Sequence, residues 1–430
     1  MSGLGIGIDT GGTCTDAVIY RFEDKEILAS TKTHTTHDDL ARGIRRALER
    51  LPKDLAQQAE VVALSTTLAT NACVENKGGR AKVAMFGAHR ENVEHYGSDY
   101  GFERGDGILF VDSKTRPSGK IVEMPDWDDF AAEVKDYFKD CDAAGVVEMY
   151  ANKTGGVLEN RAREIIKEAF DIPVVCGNEL FAEKNIIKRG ANTLLNARLI
   201  SIIEEFTEAV RKSLKDLGIK APFVIVRSDG SLMSEKFAKT HPIETLLCGP
   251  VASVKGAVEL AGDMDSMVID IGGTTTDIAL VKNHQPKNAD GGVRIGRWNT
   301  FVKGLFVDTF GLGGDSGVTF DDDYRIILED QRVIPLCMTA HRYPAVLDTL
   351  EKIAKKTAPT RNPKDDIFLG EKVIAESAGY SDLEKRIATA LLDHPMSLEE
   401  LSIACGQSIL HTHLERLVRE SVIIRCGITP

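Results

Sequence analysis

Several features that would assign this protein to a familiar class are missing from its 430-residue sequence. No apolar run is long enough to cross a bilayer, and the start, MSGLGIGID, lacks the positive segment and long apolar core of a signal peptide. The net charge of −12 offers no basic face for non-specific nucleic-acid binding, although it does not exclude a nucleotide held by a glycine-rich loop and a metal. We therefore expect a cytoplasmic protein that binds neither nucleic acid nor a membrane.

Common catalytic and metal-binding patterns are missing as well. The histidines form no cluster, and spacing indicates no Ser–His–Asp or Cys–His set. A hydrolytic reaction would therefore need activation by ATP. The Walker A pattern GxxxxGK[ST] is absent, so ATP would bind at some other kind of site. The cysteines form no CxxC pair, which argues against a zinc ribbon or dithiol site and favours buried free thiols in a reducing cytosol. The eight cysteines are Cys14, Cys73, Cys141, Cys176, Cys248, Cys337, Cys405 and Cys426.

What the sequence does contain is an alternation of short apolar runs and helical patterns over the first 280 residues, which indicates an α/β protein. At roughly 100–200 residues per domain, the length suggests two or three domains. The predicted strands cover residues 4–8, 17–20, 61–64, 83–86, 145–149, 174–176, 223–226, 267–271 and 278–281. The predicted helices cover residues 38–51, 128–138, 159–170, 188–217 and 251–261.

The most informative feature is an internal repeat. Residues 9–16 read DTGGTCTD and residues 270–277 read DIGGTTTD, so six of eight positions are identical. Each copy lies between two short apolar runs, and the copies are about 260 residues apart, which excludes a solenoid of many repeats. Two copies at this distance predict two similar lobes, each supplying one hairpin.

The composition of the repeat suits a phosphate. Paired glycines permit a tight turn and let backbone N–H groups approach phosphate oxygens closely. Asp9 and Asp270 end the incoming strands, where they are predicted to hold Mg²⁺ through its water shell. Asp16 and Asp277 are predicted to orient a water or a hydroxyl; the alternatives are a turn cap or an ordinary Gly–Thr hairpin. The nucleotide-binding candidates in the two copies are Gly11, Gly12, Thr13, Thr15, Gly272, Gly273, Thr274 and Thr276.

The paired hairpins resemble the phosphate loops of the actin, sugar kinase and heat-shock chaperone ATPases. More narrowly, the chain resembles the ATP-dependent hydantoinase/5-oxoprolinase family over roughly residues 3–320. The resemblance rests on GIGIDTGGTCTDAV at 5–18, STTLATNACVENKGG at 65–79, SDGSLMS and PIETLLCGPVASVKGA within 228–257, and VIDIGGTTTDIAL at 268–280. It implies a two-lobed actin-like (ribonuclease H-like) α/β ATPase fold that closes on ATP and Mg²⁺ in a cleft.

The resemblance also implies a reaction and partners. The expected reaction is ATP-dependent opening of a cyclic amide of the hydantoin or 5-oxoproline type through a phosphorylated amide. The expected partner is a companion hydantoinase-type large subunit, or a homo-oligomer. Two functions of other classes stay open on the same hairpins: an ATPase that activates or reactivates a partner metalloenzyme, and a small-molecule kinase. Family members continue past a similar GxTP, so the resemblance implies that this chain, ending in GITP, is truncated or a short variant.

The adenosine contact has two candidates. In most actin-like ATPases this loop follows the second phosphate hairpin, but the strand FVIVRSDG and the segment CGPVASVKGAVEL precede it here. That order favours a permuted second lobe in which Asp229, Gly230 and Gly249 contact the nucleotide. Otherwise the loop GLGGDS supplies the contact through Gly313 and Gly314.

The substrate side is predicted from a cluster of hydroxyl and amide side chains. The segment STTLATN follows an apolar strand, and α/β proteins place ligands at the carboxyl ends of strands. Helix capping by its first hydroxyl residues is the alternative. On the long helix, Asn192 is predicted to face the cleft. The candidates in the loop are Ser65, Thr66, Thr67, Thr70 and Asn71.

The predicted organisation has four parts. Residues 1–180 form the first lobe with its hairpin and substrate loop, and residues 181–343 form the second lobe with the other hairpin and the glycine-rich loops. Residues 344–380 are a connector, and residues 381–430 form a small module resembling a winged helix, with helical patterns at 381–393, 397–406 and 408–420 and a final strand. The third of these helices carries acidic as well as basic residues, which favours packing or partner docking over DNA binding.

Overall fold

The computed structural model describes residues 3–12, 14–36, 40–103, 107–262, 264–273, 275–321, 323, 325–356, 363–374, 379–420 and 422–430. The chain divides into two compact units. The first unit comprises Met1–Val268 and Ala279–Val307, and the second comprises Ile269–Ile278 and Asp308–Pro430. The four-part organisation expected from the sequence stays a prediction.

The elements up to residue 262 all belong to the first unit. Its strands are β1 (Leu4–Thr10), β2 (Cys14–Arg21), β3 (Glu26–His34), β4 (Ala59–Thr66), β5 (Ala81–Phe86), β6 (Ile108–Val111), β7 (Lys114–Thr115), β8 (Ile121–Glu123), β9 (Ala143–Glu148), β10 (Val174–Cys176), β11 (Phe223–Val226) and β12 (Leu232–Ser234). Its helices are α1 (Leu40–Glu49), α2 (Lys53–Ala56), α3 (Leu68–Val74), α4 (Arg90–Tyr96), α5 (Trp127–Tyr137), α6 (Ala151–Thr154), α7 (Val157–Ala169), α8 (Gly177–Leu180), α9 (Ile186–Asp216), α10 (Glu235–Thr240) and α11 (Cys248–Ala261), with 3-10 helices at Gly97–Tyr100 and Pro242–Thr245.

The later strands are β13 (Ser266–Ile271), β14 (Thr276–Lys282), β15 (Gln285–Pro286), β16 (Arg294–Ile295), β17 (Trp298–Asn299), β18 (Val307–Phe310), β19 (Ser316–Phe320), β20 (Ile326–Arg332), β21 (Ile334–Pro335), β22 (Ile367–Gly370), β23 (Met396–Ser397) and β24 (Ile423–Gly427). The later helices are α12 (Leu336–Arg342), α13 (Val346–Ala354), α14 (Asp382–Leu392), α15 (Leu398–Ala404) and α16 (Glu415–Arg419), with 3-10 helices at Pro363–Asp365 and His411–His413. The strands and helices predicted over the first 281 residues are all present, with their described ends shifted by up to three residues.

The central sheet of the first unit has six strands in the order β12-β11-β4-β1-β2-β3. β1 is antiparallel to β2 and parallel to β4, and β11 is parallel to β4. Ile6 and Ile8 of β1 are buried on one face, where they join a core with α1 and the second half of α9. The sequence analysis assigned the strand at 223–226 to a second lobe, whereas in the structure it extends the sheet of the first hairpin.

A second sheet in the same unit is entirely parallel, in the order β10-β9-β5-β6. Residues of α5 and α7 pack on one side of it, and the first half of α9 packs in the core that includes Met85. Helix α9 has 31 residues and therefore reaches both cores of the unit. It begins at Asn185, whose side chain accepts a hydrogen bond from the backbone N–H of Lys188.

Helix–strand order at the C-terminal end follows the prediction only in part. α14 and α15 lie within the predicted helices, and each begins with a capping box, Ser381 with Glu384 and Ser397 with Glu400. The helix predicted at 408–420 is wrong over its first half, because Leu410 is extended and a 3-10 turn precedes the short α16. The final strand β24 lies inside a sheet of order β21-β24-β22-β23, and the winged-helix description is not confirmed.

Two further expectations concern the whole chain. Within the described ranges, no helix combines the length and the apolar character needed to cross a membrane. The cysteines are free thiols, and all of them are buried except Cys14, which is half-buried, and Cys337, which is exposed.

Candidate functional site

The first glycine turn, at Gly11 and Gly12, follows β1 and leads to β2. The backbone N–H of Gly11 donates to the carbonyl of Cys14 over 3.0 Å, which closes the turn. A Cβ on Gly11 would lie 3.2 Å from that carbonyl oxygen, so the position favours glycine. A Cβ on Gly12 would lie 3.7 Å from the amide nitrogen of Asn71, which places the predicted substrate loop beside the turn. Thr13 lies outside the described residues.

Four polar side chains form a row across the sheet beside this turn. Asp9 of β1 stands opposite Asp16 of β2 and opposite Ser65 of β4, and Asp16 stands opposite Lys32 of β3. Residues that are directly opposite in a sheet project from the same face. The Ser65 hydroxyl donates to Asp9 Oδ1 over 2.6 Å, and Lys32 Nζ donates to Asp16 over 3.0 Å. The row therefore combines two carboxylates, a hydroxyl and an ammonium group.

The next residue of each strand forms a second row on the opposite face. Thr10 stands opposite both Thr15 and Thr66, Thr15 stands opposite Thr33, and all four threonines are buried. The Thr15 hydroxyl lies 3.1 Å from that of Thr35, which in turn donates to the carbonyl of Gly11 over 2.8 Å. The predicted ligand Thr15 thus supports the turn from behind through hydroxyl contacts within the protein.

The predicted substrate loop follows β4 directly and is tied to the turn and to α11. The N–H of Thr67 donates to the carbonyl of Thr10 over 3.1 Å, and the side chain of Asn71 donates to the Thr67 hydroxyl over 3.2 Å. The Thr70 hydroxyl accepts from the N–H of Leu247 over 3.0 Å, just before α11 begins. Ser65, Thr67 and Asn71 therefore lie beside the first turn, and Thr70 fastens the loop to α11.

Helix α11 directs its N-terminus at the same place. Cys248 is its first residue, and the Cys248 thiol donates to the carbonyl of Thr66 and accepts from its N–H, with Sγ distances of 3.0 and 3.2 Å. Burial raises the pKa of this thiol to about 12, so it stays neutral. A Cβ on Gly249 would lie 3.3 Å from the Thr67 methyl and 3.7 Å from Asp9 Oδ1. The first turn of a 14-residue helix, whose free N–H groups favour anions, thus adjoins Asp9.

The loop after β11 contains the other predicted adenosine contacts of the first unit. Gly230 has a φ of +79°, and the Asp229 carboxylate accepts from the N–H and the hydroxyl of Ser231 over 2.9 and 2.6 Å. The turn lies near α11, because a Cβ on Gly230 would meet the side chain of Lys255. Asp229 and Gly230 therefore belong to the same unit as the first glycine turn.

The second turn, residues 272–274, repeats the first. The N–H of Gly272 donates to the carbonyl of Thr275 over 2.9 Å, and a Cβ on Gly272 would lie 3.2 Å from that oxygen. These contacts match those of Gly11 with Cys14, so the sequence repeat is also a repeat of backbone structure. Thr274 lies outside the described residues.

The GLGGDS loop packs on this second turn within the second unit. The N–H groups of Gly314 and Asp315 donate to the carbonyls of Gly272 and Gly273 over 2.9 and 2.8 Å. The Thr276 hydroxyl donates to the carbonyl of Leu312 over 2.6 Å. Both predicted glycine-rich features of this unit, the hairpin and the loop at 311–316, therefore form one local structure, in which the N–H of Gly313 donates to the Ser316 hydroxyl over 3.0 Å.

The acidic residues of the second hairpin have distinct surroundings. Burial raises the pKa of Asp277, the hydrogen bond from the Thr309 hydroxyl opposes this rise, and the negative charge of Asp270 adds to it. The Thr309 hydroxyl lies 2.6 Å from Asp277 Oδ1. A carboxyl whose pKa is raised in this way accepts a proton more readily than an ordinary aspartate does.

Asn192, by contrast, contacts main chain with both of its amide atoms. Its nitrogen donates to the carbonyl of Asn299 over 3.0 Å, and its oxygen accepts from the N–H of Phe301 over 2.8 Å. The residue is completely buried in α9. Asn192 therefore joins α9 to the main chain of residues 299–301, apart from the group around Asp9.

The residues around Asp9 fit a polyphosphate. The helix N-terminus adjoins Asp9, and the closed turn exposes glycine backbone. The described part of the chain holds no group of three or more His, Cys, Asp or Glu side chains arranged for a metal. A Mg²⁺ ion would therefore rely on single carboxylates, waters and phosphate oxygens, as this ion commonly does.

The sequence analysis missed three residues of this region: Lys32, Thr10 and Cys248. Lys32 lies in β3, which was not predicted because the segment EILASTKTH mixes polar and apolar residues. The alternation of polar and apolar residues after the hairpin could have indicated a third antiparallel strand. Such a strand would place one of its residues opposite Asp16. The contacts of Cys248 with Thr66 span 182 positions of sequence and carry no local signal.

Two family profiles match the chain. The profile of the hydantoinase/oxoprolinase N-terminal region matches residues 5–170, and the hydantoinase/oxoprolinase profile matches residues 189–343. Caprolactamase subunit alpha from Pseudomonas jessenii is 25% identical in an alignment of 344 positions that covers 74% of this chain and 49% of that protein. The gamma subunit of acetophenone carboxylase from Aromatoleum aromaticum is 25% identical in an alignment of 347 positions that covers 72% of this chain and 47% of that protein.

Solved structures give the same result for the fold. The ATP-dependent caprolactamase from Pseudomonas jessenii superposes with a TM-score of 0.63 at 22% identity, covering 76% of this chain and 50% of that one. Nucleotide-free acetone carboxylase superposes with a TM-score of 0.63 at 21% identity, covering 77% of this chain and 51% of that one. The chain thus has the mixed α/β fold of these proteins and spans about half the length of the relatives it matches.

Proposed function

Because the chain belongs to the hydantoinase/oxoprolinase family, we propose that it is the ATP-using part of an enzyme that opens a cyclic amide. The proposal rests on the contacts of Asp9. Its carboxylate accepts from Ser65 over 2.6 Å and adjoins the first turn of α11 at Gly249. A carboxylate, a hydroxyl loop and a helix N-terminus at one glycine turn suit the binding of Mg·ATP beside a small polar substrate.

The chemistry follows from the weakness of an amide as an electrophile. In the proposed reaction the amide oxygen bonds to the γ-phosphorus of ATP and ADP leaves. Water then adds to the amide carbon, and the ring C–N bond breaks to give an amine and an acyl phosphate. A second water attacks the carbonyl carbon of the acyl phosphate, and phosphate departs with the original carbonyl oxygen. The protein mainly has to position the reactants and balance charge, as in phosphoryl transfer generally.

Each group of predicted site residues has a proposed role in this reaction. The backbone N–H groups of Gly12 and Gly273 are offered to phosphate oxygens, while those of Gly11 and Gly272 close the two turns. Asp9 and Asp270 hold Mg²⁺ through water, and the ion supplies charge neutralisation. The 65–71 loop holds the amide, and Asp16 or Asp277 orients the acceptor or the water. Asp229 and Gly230, or the loop with Gly313 and Gly314, contact the adenosine.

The proposed partner is a companion hydantoinase-type large subunit. The relatives named caprolactamase subunit alpha and acetophenone carboxylase gamma subunit are subunits by name, which supports a complex. The carboxylase relatives also favour a second candidate, ATP-dependent activation of a ketone, because a ketone oxygen can accept phosphate in the same way. An ATPase that activates a partner metalloenzyme, or a kinase, would use the same hairpins.

An isotope experiment separates these functions. A lactam labelled with oxygen-18 at its carbonyl is incubated with ATP, this chain and its companion subunit. The proposal requires the label to appear in inorganic phosphate. If the label stays in the ring-opened acid, ATP drives only a conformational change and the activating-ATPase function is favoured. A stable phosphorylated product would instead identify a kinase, and turnover of a ketone but not a lactam would favour the second candidate.

A further inference from the structure

A cavity in the first unit lies outside the groups that the proposed function places on the phosphates and the amide, although Asp229 and Gly230, one of the two candidate adenosine contacts, line it. It lies between the turn at 229–231, one side of α11, and a segment that we call the ribbon, residues 288–305. Its volume is about 830 Å³, within the range of roughly 300–1,000 Å³ that is usual for small-molecule sites. None of its lining residues belongs to the 9–16 hairpin or the 65–71 loop.

The ribbon forms one wall of the cavity and is held in place by backbone hydrogen bonds. The N–H of Ala289 donates to the carbonyl of Gly304 over 2.8 Å, and the N–H of Leu305 donates to the carbonyl of Ser228 over 3.1 Å. Gly292 has a φ of +103°, and a Cβ there would lie 2.0 Å from the carbonyl oxygen of Thr300. Close backbone approach and a left-handed conformation thus fix the ribbon around the cavity.

Helix α9 holds the aromatic part of the wall. Lys188 is buried, donates from Nζ to the carbonyl of Gly291 over 3.0 Å, and lies 4.3 Å above the ring of Phe301. Asn192 binds the N–H of Phe301, as described above. The Phe301 ring is therefore fixed from behind and offers an apolar surface together with Leu305 and Pro286.

Charged side chains of both signs line the opening. The cationic side chains are Lys255 and Lys303, and the anionic side chains are Glu183, Asp229 and Asp290. Elsewhere in the described chain, many charged side chains meet in ion pairs, such as Arg227 with Glu244. Across the described residues, none of the five cavity side chains lies within ion-pairing distance of an opposite charge. Opposite charges are thus held apart around an apolar wall.

We propose that this cavity binds a small zwitterion of the amino-acid class with a short apolar body. The carboxylate of the ligand would meet Lys255 and Lys303, its ammonium group would meet Glu183 and Asp290, and its methylenes would pack on Phe301. Charge-assisted hydrogen bonds are stronger than neutral ones, so a ligand that satisfies both signs gains most. The site goes beyond the proposed function, since no residue tested below takes part in ATP chemistry.

Calorimetry on the full chain tests the proposal with defined probes. The zwitterions are 6-aminohexanoate, with charges at its two ends, and L-leucine, with adjacent charges. Hexanoate, hexylamine and caprolactam are matched compounds that lack one or both charges. We expect at least one zwitterion to bind at least ten-fold more tightly than all three matched compounds. The zwitterion that binds more tightly shows which spacing between the two charges the cavity accepts. Equal binding of hexylamine, or no binding of either zwitterion, overturns the proposal.

Variants locate the site. Lys303→Met and Asp290→Asn each remove one sign of charge from exposed positions, and each is expected to weaken zwitterion binding at least five-fold. Lys220→Met, an exposed lysine outside the cavity, is the control and should bind normally. Loss of binding in the control, or normal binding in both cavity variants, contradicts the assignment. Mg·ATP binding should be unchanged in Lys303→Met, so failure of this site is distinguishable from failure of the proposed function.

Discussion

Lys32 Nζ lies 3.0 Å from both carboxylate oxygens of Asp16, which stands opposite it in the neighbouring strand. Asp16 in turn stands opposite Asp9. The hydrogen bonds that Lys32 donates to Asp16 raise the pKa of Lys32, desolvation opposes this rise, and nearby negative charges add to it. The ammonium group therefore stays charged and balances one of two adjacent carboxylates at the place where a polyphosphate would bind.

Replacing Lys32 tests whether this balance serves nucleotide binding. Lys32→Met should raise the KM for ATP roughly ten-fold, because an uncompensated carboxylate then repels the phosphates. The free energy of unfolding should change by less than about 1 kcal/mol, since both partners are largely exposed. Lys32→Arg should restore the KM. Lys25→Met, which removes another exposed ion pair, is the control, and a normal KM in Lys32→Met would mean that the pair is structural only.

If Asp9 and Asp270 hold Mg²⁺, removing the charge of either residue should lower the affinity for Mg·ATP. Asp9→Asn keeps an oxygen that can accept from Ser65, so the fold should persist while the affinity drops roughly ten-fold or more. Asp270→Asn should behave alike. Calorimetry with ATP alone is the internal comparison, because loss of a negative charge should not weaken binding of metal-free ATP. Asp140→Asn, at an exposed position, is the control; unchanged Mg·ATP affinity in both site variants would rule out the assignment.

Two glycines of α11 provide a matched pair. A methyl at Gly249 would enter the space beside Asp9 and Thr67, so Gly249→Ala should weaken Mg·ATP binding several-fold without unfolding the protein. A methyl at Gly256 would meet nothing within 4 Å, so Gly256→Ala should leave binding unchanged and raise the free energy of unfolding by up to about 1 kcal/mol. Calorimetry and denaturant unfolding measure both. Equal affinities in the two variants would remove the helix N-terminus from the proposed site.

The pH dependence of ATP turnover reports on Asp277. Its pKa is already raised by burial, and the Thr309 hydroxyl partly counteracts the rise. Thr309→Val removes that hydrogen bond, so the pKa rises further and the carboxylate is protonated at a higher pH. If Asp277 orients the attacking group as a carboxylate, the acidic limb of kcat/KM should shift to higher pH in this variant. Asp277→Asn should abolish that limb, and an unshifted profile in Thr309→Val would exclude the role.

Asn192 separates a structural role from substrate binding. Asn192→Ala leaves the N–H of Phe301 and the carbonyl of Asn299 unsatisfied in the interior, which should lower the free energy of unfolding by about 2–4 kcal/mol. Asn92→Ala, at an exposed position of α4, should change it by no more than about 0.5 kcal/mol. Urea unfolding measures both. An unchanged stability together with a raised substrate KM would instead support the contact predicted from the sequence.

Local sequence was sufficient for the strands and helices predicted up to residue 281 and for the two glycine turns, but not for β3. The strands on either side of each turn have alternating or continuous apolar residues, and D-x-G-G-T specifies a turn that needs no distant contact. The same Gly N–H to carbonyl bond accordingly closes both copies, at 3.0 and 2.9 Å. The helix predicted at 408–420 was wrong at its start because Leu410 is extended, and amphipathic spacing alone does not reveal that.

The sequence by itself determined that two matching glycine turns exist, because a short turn depends on its own glycines. Only the tertiary structure decided which side chains join Asp9. Ser65 and Lys32 come from strands 56 and 16 positions away from Asp9 and Asp16, and a register shift of one residue would send each to the opposite face. That register is set by the burial of Ile6, Ile8 and Leu64 in the core, since moving this apolar set into water would cost more than any single polar contact returns.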